Sequence, residues 1–158
     1  MRVGVIGSAS ADETTRELAR AVGRALGRAE AILVCGGLGG VMDAAAEGAA
    51  EEGGLVLGIL PGGDAEDAAA GVSIPMPTGL GPARNTLVVR TSEAIITIAG
   101  GWGTLNEAAM AMKLGIPLVG VRDHLPETFE IERFENPAAA VARALELAHA
   151  SRRAGGSR

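Results

Sequence analysis

Six short apolar runs, each ending in glycine or a turn, constrain the fold of this chain more than any other feature. The runs occupy residues 3–8, 31–37, 55–63, 72–79, 94–101 and 116–121. Apolar runs this short and without strict alternation are typical of strands in a parallel sheet that is covered on both faces. A buried parallel sheet is therefore the architecture that the sequence favours.

The segments between the apolar runs have the pattern of helices. Helices are predicted over residues 11–28, 39–53, 82–92, 104–115 and, starting near Pro137, 137–151. Strands and helices in alternation indicate an α/β fold with right-handed crossovers. We therefore expect a single Rossmann-like, doubly wound domain over residues 1–151, with a mainly parallel sheet flanked by helices. Residues 152–158 are expected to form a flexible tail.

The composition narrows the classes of partner. At 158 residues and 47% hydrophobic content, the chain is long enough for one buried core. A net charge of −5 and an aromatic content of 2% argue against a nucleic-acid partner, because basic stripes and stacking aromatics are usual there. No apolar run approaches the ~18 residues needed to cross a bilayer, and no signal-peptide pattern is found. We therefore expect a small-molecule ligand, and neither a nucleic-acid nor a membrane partner.

Cys35 is the only cysteine in the sequence. An intramolecular disulfide is therefore excluded, which fits a reducing compartment, and we expect the protein to be cytoplasmic. The position of Cys35 at the end of an apolar run predicts a buried, structural thiol.

Clusters of glycine follow most of the predicted strands. They lie at Gly7, Gly36–Gly37, Gly62–Gly63, Gly79 and Gly100–Gly101. In an open parallel sheet these positions share the carboxyl edge, where ligands bind at the point at which the strand order reverses. Any one cluster could be an ordinary turn, but together they predict a crevice of the size of a phosphate or a nucleotide.

Several familiar sites are excluded by the sequence. It contains no GxxxxGK[ST] motif, no strict GxGxxG after the first strand, and no acidic residue at the end of the second strand for a ribose. Lys113 is the only lysine and lies late in a predicted helix, which is a poor position for a Schiff base. His124 and His149 lack the spacing of metal ligands, so no metal site is predicted.

Two anion sites remain, at "GGLGGVM" and "GGWGTLNE", where a strand leads through glycines into a helix N-terminus. Free N–H groups and the positive end of the helix dipole favour an anion there, and glycine lets the backbone approach it closely. The candidate binding residues at this edge are Gly7, Ser8, Gly36, Gly37, Gly39, Met42, Gly100, Gly101, Gly103 and Thr104.

Arg84 and Glu107 are the candidate catalytic residues. Thr104 and Glu107 fit a T-x-x-E capping box, so Glu107 either caps its helix, serves the site, or does both. Arg84 falls in the first turn after Pro82, where a cation opposes the helix dipole. Residues that break a local rule tend to mark functional sites. Arg84 is then paired with a ligand phosphate or with Glu107, unless it is a solvated surface arginine.

The motifs "GGLGGVM", "ARN" and "GGWGTLNE" resemble those of the LOG superfamily, whose members were once mislabelled lysine decarboxylases. The superfamily includes cytokinin-activating phosphoribohydrolases and molybdenum cofactor carrier proteins, and the resemblance covers roughly residues 1–122. LOG enzymes carry PRRxxM and PGGxGTxxE, whose catalytic arginine and glutamate match Arg84 and Glu107. Here Asn85, Val88 and Ala99 replace the second arginine, the methionine and the proline, so the chain most resembles the carrier-like branch.

The resemblance implies two functions of different classes. The first is binding of a phosphorylated small molecule, either a nucleoside monophosphate or a molybdopterin-type cofactor, with no other cofactor required. The second is a phosphoribohydrolase that cleaves the N-glycosidic bond of a nucleoside 5′-monophosphate.

The segment "AAMAMKLG" is small and apolar nearly all round. It therefore predicts a homodimer or larger homo-oligomer through this helix, with ordinary burial inside one domain as the alternative. Trp102 is the one large aromatic of the glycine motif, and it stacks on a ligand ring, packs within the fold or lies at an interface.

Overall fold

The computed structural model describes residues 1–155 and contains one seven-stranded sheet in this range. The strands are β1 (Arg2–Gly7), β2 (Ile32–Cys35), β3 (Val56–Leu60), β4 (Ile74–Pro77), β5 (Ala94–Ala99), β6 (Leu118–Asp123) and β7 (Glu132–Phe134). The helices are α1 (Glu13–Arg28), α2 (Val41–Glu51), α3 (Asn85–Thr91), α4 (Trp102–Leu114) and α5 (Pro137–Gly155). Short 3-10 turns lie at Ala65–Asp67 and Gly81–Arg84.

All strands of the sheet run parallel, in the order β4-β3-β2-β1-β5-β6-β7. The order reverses at β1, because β2 to β4 extend to one side and β5 to β7 extend to the other. Gly7 at the end of β1 pairs with Ile98 near the end of β5, so the two strands end side by side. The expected Rossmann-like, doubly wound fold is confirmed, and its switch point lies between β1 and β5.

Two apolar cores cover the two faces of the sheet. One core joins the sheet to α1, α2 and α5, and the other joins it to α3 and α4. Alternate residues of β5 serve the two cores, since Ile96 and Ile98 belong to the first and Ile95 to the second. Burial on both faces explains why the strands read as short, continuous apolar runs rather than alternating ones.

Helices α1 and α2 pack at unusually close range because glycine forms their contact. A Cβ on Gly23 would overlap the carbonyl oxygen of Ala45, and a Cβ on Gly48 would overlap that of Arg20. Arginines spaced four apart along α1 pair with acids on α2, for example Arg16 with Asp43 at 2.9 Å and Arg20 with Glu47 at 2.8 Å. This helix pair holds α2, and with it the loop before α2, against the sheet.

The element boundaries differ from the sequence-based expectation in four places. Strand β7 is too short to stand out in the sequence, and it is held by pairing with β6. The predicted helix 82–92 divides into the 3-10 turn Gly81–Arg84 and α3. Helix α4 begins two residues earlier than predicted, at Trp102. Helix α5 continues to Gly155, and the remainder of the expected tail, 156–158, lies outside the described residues.

Prolines in β4 are tolerated because this strand forms an edge of the sheet.

None of the helices in residues 1–155 combines the length and the hydropathy needed to span a bilayer.

Candidate functional site

A cleft of about 300 Å³ opens at the carboxyl ends of β1 and β5, which is the switch point of the sheet. We call it the central cleft. Four segments form its walls: the end of β1, α2, the start of α3 and the start of α4. The lining residues are Gly7, Ser8, Ala9, Met42, Arg84, Asn85, Gly101, Trp102, Gly103, Thr104 and Glu107.

The structure brings most of the candidate residues to this cleft. Both candidate catalytic residues line it, together with six of the candidate binding residues: Gly7, Ser8, Met42, Gly101, Gly103 and Thr104. Sequence reasoning missed Ala9 and did not assign Asn85 to the site. The position of Asn85 directly after Arg84 was the available signal for it.

The other four candidate glycines lie outside the lining of the central cleft. Gly36 lies directly beneath Arg84. The backbone of Gly37 accepts a hydrogen bond from the N–H of Ala69, and a Cβ there would meet Leu60. Gly39 is exposed, and Gly100 lines a neighbouring cleft described below. Their contact with a ligand therefore stays a prediction.

The junction between β5 and α4 has a strained backbone. Ala99 has φ of 50° and Gly100 has φ of 143°, and the pairing of β5 with β6 shifts register at this point. Positive φ at a residue other than glycine costs on the order of 1–3 kcal/mol and is concentrated at functional sites. Proline has φ fixed near −65°. A proline at position 99 could therefore not adopt this conformation.

The N-terminus of α4 faces the central cleft without a side-chain cap. Gly101 is the N-cap residue, and its carbonyl accepts the first helical hydrogen bond from Leu105 at 2.9 Å. The capping-box interpretation of Thr104 and Glu107 is wrong, because the earlier helix start places both residues inside the helix. The N–H groups of the first turn are therefore left for a ligand or for water.

Two glycines keep this helix start open. Among residues 1–155, and apart from its neighbours along the chain, a Cβ on Gly101 or on Gly103 would meet no atom within 4 Å, so packing within the described chain does not require glycine at either position. Both residues line the central cleft. The space that a side chain would fill is thus the space that an anion would need in order to reach the backbone.

Arg84 is buried, with only 7% of its surface exposed, so it is not a solvated surface arginine. Its Nη1 donates a hydrogen bond of 2.6 Å to Oδ1 of Asn85 and lies 3.5 Å from Oε1 of Glu107. A Cβ on Gly36 would lie 2.5 Å from Nη2 of Arg84, which is too close. The guanidinium can therefore occupy this place only because residue 36 is a glycine. The Nε atom of Arg84 is buried and has no partner in the described chain.

Glu107 is equally buried, with 7% of its surface exposed. Loss of hydration raises the pKa of its carboxyl to about 7, although the positive charge of Arg84 acts in the opposite direction. A carboxyl group with a pKa near neutrality is present in both protonation states at neutral pH. In this cleft it can therefore donate a hydrogen bond to a ligand when protonated and accept one when ionised. Such shifted groups are concentrated at functional sites.

Trp102 is the first residue of α4, and its side chain is 88% exposed. It stands between the central cleft and a second one of about 240 Å³, which we call the side cleft. The side cleft is lined by Gly100, Gly101, Trp102, Leu105, His124, Leu125 and Pro126. Packing of Trp102 within the described chain is thereby excluded.

Cys35 lies outside both clefts. Burial raises the pKa of its thiol to about 11, so it is not reactive at neutral pH, and the prediction of a buried structural thiol is confirmed.

Within residues 1–155, no group of three or more His, Cys, Asp or Glu side chains is placed to hold a metal ion.

Comparison with known proteins places the chain in a family. A family model described as the SLOG cluster4 family matches residues 1–150. The chain belongs to the SLOG cluster4 family. A relative of this SLOG chain, an uncharacterized protein of Archaeoglobus fulgidus, is 41% identical over 147 residues, which cover 89% of this chain and 92% of the relative.

Two solved structures resemble the SLOG chain over nearly its whole length. The molybdenum cofactor binding protein of Rippkaea orientalis is 28% identical with a TM-score of 0.86. The molybdenum cofactor carrier protein of Chlamydomonas reinhardtii is 31% identical with a TM-score of 0.84. Each match covers 92% of this chain and 96% of the other. The resemblance to the LOG superfamily and its carrier-like branch is confirmed.

Proposed function

We propose that the protein binds a phosphorylated small molecule, of nucleotide or pterin type, in the central cleft. One observation carries the proposal: the uncapped N-terminus of α4 and the buried side chain of Arg84 line the same cleft. A helix N-terminus alone is a common feature. Here it is joined by a buried guanidinium whose hydrogen bond to the chain is made by Nη1, which is the combination that an anion satisfies.

The phosphate would be held mainly by the backbone. The N–H groups of the first turn of α4, from Trp102 to Thr104, would donate to its oxygens, and the open positions at Gly101 and Gly103 would let it approach. The guanidinium of Arg84, which lines the cleft, would add a charge-assisted hydrogen bond. Ser8 also lines the cleft, and its Oγ accepts from the N–H of Ser10 at 3.2 Å, which leaves its hydroxyl proton for the ligand.

The structural neighbours support a cofactor-type ligand. Proteins that bind or carry the molybdenum cofactor share the fold at TM-scores of 0.84 and 0.86. In this chain the features that fit such a ligand are those for its phosphate: the open helix start, the buried guanidinium and the glycines. When bound, the cofactor would supply its own metal chemistry, while these residues would hold and shield it.

A second candidate function is N-glycosidic hydrolysis of a nucleoside 5′-monophosphate, favoured by the buried carboxyl of Glu107 in the cleft. In this reaction the bond between C1′ and the base nitrogen breaks, and the bonding electrons leave with the base, which gains a proton. Water bonds to C1′ and loses a proton, giving ribose 5-phosphate. The ionised carboxylate of Glu107 would stabilise the oxocarbenium-like transition state, and Arg84 would position the phosphate.

Binding is tested by calorimetric titration of the protein with AMP and with ribose 5-phosphate. Arg84→Lys should weaken both affinities roughly tenfold or more, because the ammonium of a lysine cannot reproduce the planar guanidinium and its several donors. The matched control is Arg90→Lys, on the exposed side of α3. Wild-type protein that binds neither compound at millimolar concentration would refute the proposal, as would Arg84→Lys protein that is folded and binds normally.

Hydrolysis is tested by incubating the protein with AMP and measuring free adenine. Release that disappears in Glu107→Gln, and that rises with pH through about 7 as the carboxyl ionises, would establish the hydrolase function. AMP that binds and stays intact across this pH range would leave binding as the function.

A further inference from the structure

We infer that the side cleft is the binding site for a flat heteroaromatic ring, carried by the same ligand whose phosphate lies in the central cleft, and that Trp102 stacks on this ring. The inference rests on the proposed function and specifies the part of the ligand that the phosphate site does not define.

The first argument is the exposure of Trp102. Its side chain is 88% exposed, whereas the next most exposed large apolar side chain, Leu80, is 52% exposed. Indole is a large apolar surface with a polar N–H, and it is normally buried against a partner. No residue of the described chain covers it, so an external group is the expected partner.

The second argument is the continuity of the two clefts. Gly101 and Trp102 line both of them. Apart from its chain neighbours, no atom of the described residues lies within 4 Å of a Cβ placed on Gly101, so the path from one cleft to the other over this residue is open. A ligand whose phosphate is held at the start of α4 can therefore extend past Gly101 into the side cleft.

The third argument is the chemistry of the side cleft. Leu105, Leu125 and Pro126 are apolar, and His124 is the one titratable side chain of its lining. The faces of a heterocycle are apolar and its edge carries hydrogen-bonding atoms, so an apolar wall with one polar side chain suits it. A second phosphate or a sugar would leave these apolar side chains without a matching surface.

The backbone supplies a reason why the cleft lies at this place. The positive φ of Ala99 and Gly100 and the register shift between β5 and β6 separate the start of α4 from the end of β6. His124, directly after β6, donates its backbone N–H to the carbonyl of Ala99 at 3.2 Å, which ties the two walls together.

The chain is well suited to a direct test, because Trp102 is its only tryptophan and it has no tyrosine. Intrinsic fluorescence therefore reports on Trp102 alone. Binding of GMP should change this fluorescence strongly through stacking, while ribose 5-phosphate, which has the phosphate and no ring, should bind with little change.

The affinities of variants complete the test. Trp102→Ala should weaken GMP binding roughly 5- to 150-fold, the range for loss of one base–aromatic stack, and weaken ribose 5-phosphate binding much less, because the backbone N–H of this residue is kept. Trp102→Phe should restore most of the GMP affinity. The matched control is Leu55→Ala, which also removes an exposed apolar side chain. Leu55 directly precedes β3 and so lies at the amino ends of the strands, away from both clefts, and its loss should change neither affinity.

Two failures are distinguishable. If ribose 5-phosphate and GMP both bind, but Trp102→Ala binds GMP as the wild type does or the fluorescence is unchanged, the ring site is wrong and the phosphate site stands. If wild-type protein binds neither compound, the proposed function fails and the ring site fails with it.

Discussion

The Nη1 atom of Arg84 lies 3.5 Å from Oε1 of Glu107, and both side chains are buried in the wall of the central cleft. The arginine makes its shorter contact, of 2.6 Å, with the neutral side chain of Asn85. Glu107 is therefore near a positive charge without a close hydrogen bond to it. Burial outweighs this attraction and raises the pKa of the carboxyl to about 7.

The first prediction concerns stability and pH. Because the folded pKa of Glu107 is raised from 4.5 to about 7, the folded state holds a proton that the unfolded state releases. The free energy of unfolding should therefore fall as pH rises from about 4.5 to 7 and then level off. Glu107→Gln should remove this fall, which is on the order of 3 kcal/mol. Urea denaturation at several pH values measures it.

The control for this measurement is Glu127→Gln, since Glu127 is exposed. It should follow the wild-type pH profile. A Glu107→Gln profile that coincides with the wild-type one would show that the carboxyl is not held neutral by the fold.

The second prediction concerns ligand affinity and pH. A phosphate at the start of α4 is repelled by an ionised Glu107, whereas the protonated carboxyl can donate a hydrogen bond to it. Affinity for ribose 5-phosphate should therefore fall between pH 7 and 9, by up to about tenfold per pH unit, the limit for one obligatory proton. The phosphate group, with a second pKa of about 6, is already ionised in this range.

Glu107→Gln should make this affinity independent of pH from 7 to 9. Titrations in buffers of different ionisation enthalpy offer a further check, because wild-type binding should take up a proton and the variant should not. Affinity that rises with pH in the wild type would contradict the argument.

Much of the fold was predictable because burial on both faces leaves a direct mark on the sequence. Six of the strands correspond to the apolar runs, whereas the strand order, and with it the position of the switch point, is given by the structure. Strand β7 was missed because three residues, two of them charged, carry no periodic signal, and its pairing with β6 is a tertiary contact. The split at Arg84 was missed because a 3-10 turn and an α-helix share the same local propensity.

The site was predictable in its residue types and less so in its geometry. The glycines stood out because they lie between strands and helices. Arg84 stood out because a cation in a first helical turn opposes the helix dipole, and Glu107 because it fits a capping box. The capping box failed because the positive φ at Ala99 and Gly100 lets α4 begin at Trp102, and dihedral angles of this kind are not encoded in a short motif. The side cleft depends on residues after β6, which are distant in sequence from the glycine motif.

The third prediction separates binding from stability at Gly103. A Cβ there meets no atom of residues 1–155 within 4 Å outside its own stretch of helix, so Gly103→Ala should fold normally and gain up to about 1 kcal/mol from helix propensity. The same methyl group would fill the space needed by the phosphate. Thermal unfolding should thus show equal or higher stability, while calorimetry shows weaker binding of ribose 5-phosphate. Unchanged affinity would move the phosphate site away from this turn.

The fourth prediction concerns the contact between α1 and α2. Gly48→Ala has no space, because its Cβ would overlap the backbone carbonyl of Arg20, and backbone atoms cannot rotate away. We expect a loss of about 1–3 kcal/mol in the free energy of unfolding, as for overpacked cores. Gly103→Ala is the matched control, since it adds the same methyl group in open space. A Gly48→Ala protein as stable as the wild type would show that the two helices separate easily.

The fifth prediction concerns association. Helix α4 buries Thr104, Glu107, Ala108 and Ala111 within the chain, while Met112 and Leu114 at its end are exposed. Exposed apolar side chains grouped on one helix are typical of interaction surfaces. We therefore expect a homodimer or larger homo-oligomer in which a second copy covers the end of α4.

Sedimentation velocity at micromolar concentration measures this association. Met112→Glu should shift the protein toward the monomer, because a charge would be buried at the interface without a partner. Met76→Glu is the matched control, since Met76 is exposed to a similar degree, 43% against 46% for Met112, but lies on edge strand β4. Its sedimentation should equal that of the wild type. Wild-type protein that sediments as a monomer would show that the end of α4 remains open to solvent, and would rule out this interface.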